Sequence, residues 1–416
     1  MANVFIILGI LIFSAHFFSY LFSKRRVPDV LFLLAIGIVL GPVLHLVTPD
    51  MLGRFASMFA SLTLLFILFD SGVDLSIDSI RRYWKGMVQV TLLSFFLSMA
   101  AVTAIGFYLF RMPWQSSMLL GSMISGTAAA IVIPLVWQMR VSEKTRTTLA
   151  LESACSGVLC IVISLGFIEG FSSNDMALGT MAGKILASFV MALIIGMVGG
   201  IIWAGLLDRV RKMNNSMFLT PAFVFVLYGL TEVMGFSGAI AALAFGVVLG
   251  NIDYFDIALL HKFGNRRMMP LSNNEKSFFK EFVFVLKTFF FVYIGICIPF
   301  TNVEALQYGL IITAALFVLR FILVFIVGHK NTINDRLTVS IMIPKGLVSA
   351  VLASMPEQMN IAVGYELIPC ATMIKYTTYS VIFFSIVFTS VLVLLTSKKL
   401  VKQEPLHWEP EDDCFE

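Results

Sequence analysis

Runs of about 20 apolar residues recur along almost the whole chain, and they restrict its fold more than any other feature. A helix needs roughly 20 apolar residues to cross the hydrocarbon core of a bilayer. Thirteen runs reach about this length. They fall at residues 2–22, 28–47, 55–73, 86–110, 115–138, 146–170, 179–207, 217–233, 236–252, 279–299, 305–328, 335–356 and 373–397. The sequence therefore predicts an all-α polytopic membrane protein with about 13 transmembrane helices.

The composition supports this class, because 59% of the residues are hydrophobic and only 13% are charged, against roughly 25% charged in soluble domains. The first run, 2–22, has no basic segment before it and no small-residue cleavage site, so we expect a retained span rather than a signal peptide. The chain has no phosphate-binding loop, nucleophile elbow, dinucleotide fingerprint or metal-ligand spacing. We therefore expect no enzyme activity, no cofactor, no resident metal and no nucleic-acid partner.

The distribution of basic residues predicts the orientation, because cytoplasmic loops collect Lys and Arg. Alternate loops, from Lys24–Arg26 to Lys398–Lys402, hold 22 of the 29 basic residues. The loops between them hold only Arg54 and Arg111. We expect the amino terminus outside the cell (inner or plasma) membrane and the carboxyl-terminal tail in the cytoplasm.

Two of the predicted spans combine Gly and Pro with polar residues near the middle of the bilayer. The fifth contains SGTAAAIVIP, with Gly126 and Pro134, and the twelfth contains IMIPKGLVSA, with Pro344 and Gly346. Proline removes a backbone donor, and freed backbone groups at this depth survive only where they face protein or line a cavity. The patterns predict two discontinuous helices. Kinked packing helices are the alternative.

The positions of the two broken spans indicate an inverted repeat. With spans 1–6 and 8–13 as halves and span 7 as a linker, the broken span is the fifth in each half. The fifth and twelfth spans are seven spans apart. Because seven is odd, the two broken spans cross the membrane in opposite directions. Interrupted helices in matching positions of inverted repeats are typical of secondary transporters, with the binding site where the breaks meet. We predict two crossed discontinuous helices.

Ionisable residues inside the predicted spans are few, and such residues are costly and mark ion pathways. They are the acids Asp70, Glu152 and Glu232 and the bases Lys287, Arg320 and Lys345. For Asp70, a structural pairing with another helix is the alternative to an ion role. Glu232 precedes Gly235 and is expected to cap or hydrogen-bond a helix break. The positive charge of Lys287 would offset the negative charge of Glu232 or Asp70. Arg320 matches no motif.

Seven segments in order resemble the monovalent cation/proton antiporters, over nearly the whole chain. They are PDVLFLLAIGIVLGP (28–42), LLFILFDSGVDL (64–75), GTAAAIVIPLV (126–136), LALESACSGVLCIVISL (149–165), LYGLTEVMGFSGAIAALAFGVVLGN (227–251), LKTFFFVYIGI (286–296) and IPKGLVSAVLA (343–353). The resemblance implies one transporter unit over residues 1–400, followed by a short cytoplasmic tail at 401–416. It also implies a homodimer, with spans 1–3 and 7–10 as the dimerisation part and spans 4–6 and 11–13 as a mobile core.

The resemblance also implies an ion site on the sixth span, where the family usually has Glu-x-x-x-(Asn/Ser/Thr)-Asp. Glu152 matches the Glu and Ser156 the polar position, but Gly157 replaces the Asp that binds cation and proton in turn. The family pairs this Glu with the basic residue of a Pro-(Arg/Lys)-Gly motif, here Lys345. Oxygen ligands for an alkali cation would come from Ser125, Thr127 and Ser156.

These observations leave three functions open. The first is exchange of sodium or potassium for protons, using Glu152 or a backbone-rich site in place of the lost acid. The second is a transport-inactive homologue that acts as a sensor or partner subunit. The third is transport of a small anion facing Lys345 and positive helix ends.

Overall fold

The computed structural model describes residues 9–10, 12–17, 29–75, 77–137, 139, 141–173, 178–213, 216–255, 270–327 and 332–400. Over these ranges the chain is helical and contains no β-strand. Seven of the helices are long and apolar enough to cross a membrane, and two shorter apolar helices cover Val30–Val43 and Gly238–Gly250. The predicted all-α polytopic class is confirmed.

The described helices follow one another along the chain. They are α1 (Asp29–Ile38), α2 (Pro49–Asp74), α3 (Ile77–Ala104), α4 (Trp114–Ile124), α5 (Ala129–Trp137), α6 (Glu143–Ser173), α7 (Leu178–Val210), α8 (Leu219–Val233), α9 (Gly238–Gly250), α10 (Ile252–Phe255), α11 (Asn273–Ile296), α12 (Val303–Val327), α13 (Ile333–Ile341), α14 (Leu347–Val363) and α15 (Ala371–Leu400). Short π-helical segments extend α1 and α3, at Val39–Val43 and Ile105–Leu109. A 3₁₀ turn, Ser216–Phe218, precedes α8.

Two parts of the predicted topology stay predictions. Most of the first run, 2–22, lies outside the described residues, so the count of 13 spans is not tested. The tail at 401–416 also lies outside them.

The two discontinuous helices predicted from the sequence are present. The first is interrupted between the end of α4 and the start of α5, and the second between the end of α13 and the start of α14. Gly126 lies in the first interruption, and Pro344 and Gly346 lie in the second. Pro134, which the sequence also suggested as a break residue, lies inside α5. There its missing N–H removes only one hydrogen bond, and the helix continues to Trp137.

Hydroxyl groups of α15 bind backbone groups that the second interruption leaves without helical partners. The Lys345 N–H donates to Ser385 Oγ (2.9 Å), and Thr389 Oγ1 donates to the carbonyl of Ile341 (3.2 Å). All of these groups are buried. Because unpaired backbone groups inside a membrane protein are costly, α15 supports the second interruption.

Glycine lets α2 and α9 approach to backbone contact. A methyl group added at Gly246 would lie 2.2 Å from the Phe69 carbonyl oxygen, and one at Gly72 would lie 2.3 Å from the Leu243 oxygen. Small residues at helix interfaces are a common device of membrane proteins. These two helices therefore touch without a layer of side chains between them.

Candidate functional site

The two helix interruptions meet. The Ala128 N–H donates to the Pro344 carbonyl across the junction, at 2.8 Å. A methyl group at Gly346 would lie 2.5 Å from the Ala128 Cβ, so the contact requires glycine at this position. The first interruption (residues 125–128) and the second (residues 342–346) together form what we call the junction.

Helix α6 supports the first interruption through two side chains one turn apart. The Gly126 N–H donates to Cys160 Sγ (3.0 Å), and the Thr127 N–H donates to Ser156 Oγ (3.1 Å). The hydroxyl groups of Thr127 and Ser156 are also 3.1 Å apart. The predicted site residues Thr127 and Ser156 are therefore in direct contact, and the predicted site residue Gly126 contacts the same helix.

Lys345 binds the backbone of the first interruption. Its Nζ donates to the Gly126 carbonyl at 2.9 Å and lies 3.5 Å from the Ser125 carbonyl oxygen. The residue is only 2% exposed. The Ser125 hydroxyl donates back to the Gly121 carbonyl (2.6 Å), so Ser125 offers its carbonyl, rather than its hydroxyl, to the lysine.

Glu152 pairs with Arg320, and the prediction that Lys345 is its charge partner is wrong. Arg320 Nη1 and Nη2 donate to the two carboxylate oxygens at 2.5 and 2.7 Å. Both residues are 3% exposed. Arg320 also donates to Ser94 Oγ (2.6 Å) and to the Val339 carbonyl (3.2 Å). A planar guanidinium satisfies both oxygens of a carboxylate at once, which a lysine ammonium cannot do.

Arg320 is thus a site residue that the sequence analysis left without a role. It stands well inside the apolar helix α12, and a buried guanidinium stays charged. Such a group needs a buried acid, and Glu152 is the acid available on α6. This need of a buried arginine for a buried acid is the signal in the sequence that could have identified Arg320 as a site residue. No local motif marks α12, so the family pattern alone pointed to Lys345.

Gly157 faces a small cavity of about 50 Å³ beside the junction. A methyl group added at Gly157 would meet no atom within 4 Å. The cavity walls include Thr127, Ser153, Cys160 and Ser349, and the described residues that line it include no Asp or Glu. The cavity therefore has room for a side chain at position 157 and supplies no carboxylate in its place.

A second cavity of about 290 Å³ adjoins the first and contains charged side chains. Asp70 and Asp74 of α2 line it together with Lys280 and Lys287 of α11, and Lys280 Nζ lies 3.8 Å from Asp74 Oδ1. The two cavities share wall residues from three helices, namely Ile67, Ser71, Ala129, Ala130 and Ala154. The structure brings the predicted residues Asp70 and Lys287 together here, away from the Glu152–Arg320 pair.

A third cavity of about 250 Å³ lies towards the opposite end of α6. Glu169 and Glu232 line it, and it shares no wall residue with the cavity at Gly157. Glu232 Oε1 accepts a hydrogen bond from the Gly238 N–H at the start of α9 (2.8 Å). The prediction that Glu232 hydrogen-bonds a helix break is confirmed. The junction cavity thus adjoins the Asp70 cavity and is separated from the Glu232 cavity.

Comparison with known proteins supports the transporter class. A family model described as sodium/hydrogen exchanger, transmembrane, matches residues 11–402. The chain is 24% identical over 420 residues to Na(+)/H(+) antiporter 1 of Methanocaldococcus jannaschii, covering 94% of this chain and 91% of that protein. It is 24% identical over 267 residues to the K(+)/H(+) antiporter NhaP2 of Shewanella baltica, covering 60% of this chain and 44% of that protein.

A solved structure shares the fold. The structure of the sodium proton antiporter MjNhaP1 from Methanocaldococcus jannaschii at pH 8 aligns with a TM-score of 0.75 and 21% identity. The alignment covers 95% of this chain and 98% of that one. Because the family model spans nearly the whole chain, the protein belongs to the sodium/hydrogen exchanger transmembrane family.

Proposed function

We propose that this protein is a secondary transporter that exchanges a monovalent cation, sodium or potassium, for protons. The observation that supports it best is the junction, where the buried Lys345 donates to the Gly126 carbonyl and the hydroxyl groups of Thr127 and Ser156 meet. Gly126 and Thr127 also line the junction cavity. Relatives named as Na(+)/H(+) and K(+)/H(+) antiporters support the choice of cations.

The ion site departs from the family pattern, because Gly157 leaves its cavity without a carboxylate and Glu152 is held by Arg320. The oxygens available to a cation are the carbonyls of Ser125 and Gly126 and the hydroxyl groups of Thr127 and Ser156. Alkali and alkaline-earth cations prefer such hard oxygen ligands. The carbonyl end of α4 also points a partial negative charge at the same place.

The arrangement of the cavities supports alternating access. The junction cavity shares wall residues with the cavity of Asp70 and Asp74 and shares none with the cavity of Glu169 and Glu232. Exposure to one side at a time is what couples two opposed flows at a shared site. In the orientation expected from the basic loops, with the amino terminus outside, the accessible side is the cytoplasm. The further expectations of an elevator-like movement of the core and of a homodimer rest on family resemblance.

A transport-inactive homologue is the second candidate. The missing carboxylate at Gly157 favours it, since the described walls of the junction cavity hold no acid that could bind a cation. Anion transport has less support, because the Lys345 ammonium is directed at carbonyl oxygens.

Proteoliposomes with an imposed proton gradient test the proposal. Sodium or potassium added outside should dissipate the gradient, whereas choline should not, and protein-free liposomes provide the baseline. A folded protein that leaves the gradient intact with sodium, potassium and lithium would contradict exchange and support the inactive homologue. Dissipation driven by small anions, independent of the cation, would support anion transport.

A further inference from the structure

Helices α2 and α3 follow each other in the chain but pack against different neighbours. Helix α2 packs most extensively on α9 and α11, whereas α3 packs most extensively on α4, α6 and α12. We call the first set (α2, α9 and α11) the α9 group and the second set (α3, α4, α6 and α12) the α6 group. Helix α2 ends at Asp74 and α3 begins at Ile77, so the chain passes from one group to the other between these residues.

Asn251, the residue that directly follows α9, binds both groups with one side-chain amide. Its Nδ2 donates to the carbonyls of Leu75 (2.6 Å) and Val247 (2.8 Å). Its Oδ1 accepts from the Ile77 N–H at 2.9 Å. The residue is 8% exposed. The nitrogen of the side chain is therefore fixed to the end of α2 and to α9, and its oxygen holds the first residue of α3.

The Ile77 N–H is one of the donors at the start of α3 that have no acceptor within the helix. Asn is among the residues that commonly satisfy such donors, usually from the position just before the helix. Here the side-chain oxygen comes from a helix that precedes α3 neither in the chain nor in its own group. The hydrogen bond therefore ties the first turn of α3 to the position of α9.

A second contact joins the same two groups. The Tyr254 hydroxyl of α10, just after α9, donates to Asp78 Oδ1 in the first turn of α3. On the other side, α9 is held closely against α2, because a methyl group at Gly250 would lie 2.2 Å from the Val73 carbonyl oxygen. A movement of α3 relative to α9 would therefore break the contacts of Ile77 and Asp78 and leave the contact between α9 and α2 intact.

We propose that Asn251 is a positioning residue whose bond to Ile77 holds the two groups together in the state described here, and that this bond breaks when the protein opens its other side. In this state the junction cavity shares wall residues with the Asp70 cavity and shares no described wall residue with the Glu232 cavity. The inference rests on the proposed exchange function, because it needs two alternating states. Weakening the bond should shift the population towards the state that is open at Glu232.

Hydrogen–deuterium exchange of the purified protein tests this role. Asn251→Ala should accelerate exchange at the start of α3 and also at residues 235–237, which line the Glu232 cavity at the other end of α9. We expect a factor of about five, which corresponds to the loss of one hydrogen bond. Acceleration at the start of α3 alone would show a purely local role and would overturn the proposal.

Asn360→Ala is the matched control. The Asn360 side chain also binds two backbone groups, since it donates to the Ile368 carbonyl (2.9 Å) and accepts from the Ile368 N–H (2.8 Å). Both residues lie in the segment formed by α14 and the connection to α15. This variant should accelerate exchange near Ile368 and leave residues 235–237 unchanged. Equal acceleration at 235–237 in the two variants would overturn the proposal.

Tyr254→Phe keeps the test decisive if Asn251→Ala does not fold. Tyr254 is 43% exposed, and the change removes only its hydroxyl contact with Asp78. It should accelerate exchange in the same two segments by a smaller factor, about twofold. Unchanged exchange at residues 235–237 in this variant would count against the proposal.

Transport in proteoliposomes of uniform orientation separates this proposal from the exchange function. Asn251→Ala should lower the apparent KM for sodium or potassium on the outer side by up to about fivefold and raise it on the cytoplasmic side, because the populations of the two states change. An unchanged KM on both sides would overturn the role of Asn251 and leave the exchange function standing. Native protein without cation-dependent proton flux would overturn the exchange function, and hydrogen exchange of Asn251→Ala would still decide whether Asn251 holds the two groups together.

Discussion

Two buried cations lie near the centre of this protein, and their partners differ. Arg320 faces a carboxylate that accepts two hydrogen bonds from its guanidinium, with further bonds to Ser94 and Val339. Among the described residues, the Lys345 ammonium donates its hydrogen bonds to the carbonyl oxygens of Gly126 and Ser125. Arg320 and Glu152 form a closed pair that stays charged, whereas Lys345 has neutral partners that a cation could take over.

This difference in partners indicates different roles for the two residues. The Glu152–Arg320 pair links α6 to α12. Removing one member would leave the other as an uncompensated buried charge. The lysine links the two interruptions with weaker, replaceable contacts. We therefore expect changes at Arg320 to reduce stability more than changes at Lys345 do. The variants below test the buried pair, the contacts around the junction and a partly exposed ion pair, from the largest expected effect to the smallest.

Arg320→Ala should have the largest effect. It leaves the Glu152 carboxylate buried without its partner, at a cost of about 3–5 kcal/mol, so the melting temperature in detergent should fall sharply. Arg320→Met combined with Glu152→Gln removes both charges and should recover most of the loss. If the double variant melts no higher than Arg320→Ala, the pair is not what stabilises this region.

Ser156→Ala should destabilise the first interruption. It removes the acceptor of the partly buried Thr127 N–H. An unsatisfied buried donor costs about 1–3 kcal/mol, and we expect a value at the lower end of this range. Ser390→Ala is the control, because that buried hydroxyl donates only within its own helix, to Ile386 O at 2.7 Å. Equal melting temperatures for the two variants would show that α6 does not support the interruption through Ser156.

Gly157→Asp should raise the affinity for the transported cation by about tenfold, because it adds a negative charge beside the junction cavity. The space at Gly157 accepts the side chain without a clash at Cβ. Gly157→Asn adds a similar volume without charge and should leave affinity near the native value. Isothermal titration with sodium and potassium measures both variants. An equal gain in the two variants would attribute the effect to volume instead of charge.

The Arg211–Glu275 pair at the start of α11 provides a partly exposed comparison for the buried pair. Burial alone raises the pKa of Glu275, but hydrogen bonds from Arg211 and from Ser272 outweigh it and hold the pKa below its usual value. Its contribution to stability is therefore present above the unfolded-state pKa and is lost as pH falls through the folded-state pKa.

Glu275→Gln should consequently cost about 0.2–1 kcal/mol near pH 7, through the lost ion pair with Arg211, and less below about pH 4. Glutamine can still accept hydrogen bonds in the capping box with Ser272. Melting temperatures of native protein and variant across this pH range measure the difference. A gap that stays constant with pH would contradict the role of the Glu275 charge.

The sequence predicted the fold because its main determinants are local. Apolar run length predicts membrane helices, and Gly and Pro beside polar residues at Gly126 and Pro344 predict interruptions. Pro134 shows the limit of that argument. A proline removes one donor, but whether the helix ends there depends on the neighbours that bind the backbone. Ser156 and Cys160 bind it at Gly126 and Thr127, earlier in the same span.

The candidate site was less predictable, because pairing depends on which helix faces which. Glu152, Ser156 and Thr127 were expected near one another, and Ser156 contacts Thr127 directly. The partner of Glu152 lies 168 residues away on α12. Nothing in the residues around Arg320 indicates which acid it meets. Spatial contact across such a separation is fixed by helix packing, which a single sequence does not reveal.

The backbone contact between α2 and α9 has a mechanical consequence. Phe69, whose carbonyl oxygen meets Gly246, directly precedes Asp70 in the wall of the charged cavity. Two helices that touch through their backbones cannot accommodate a change in their separation by rearranging side chains. One extra carbon atom at position 246 would push the two helices apart, and the displacement would reach the wall of the charged cavity one residue away, at Asp70.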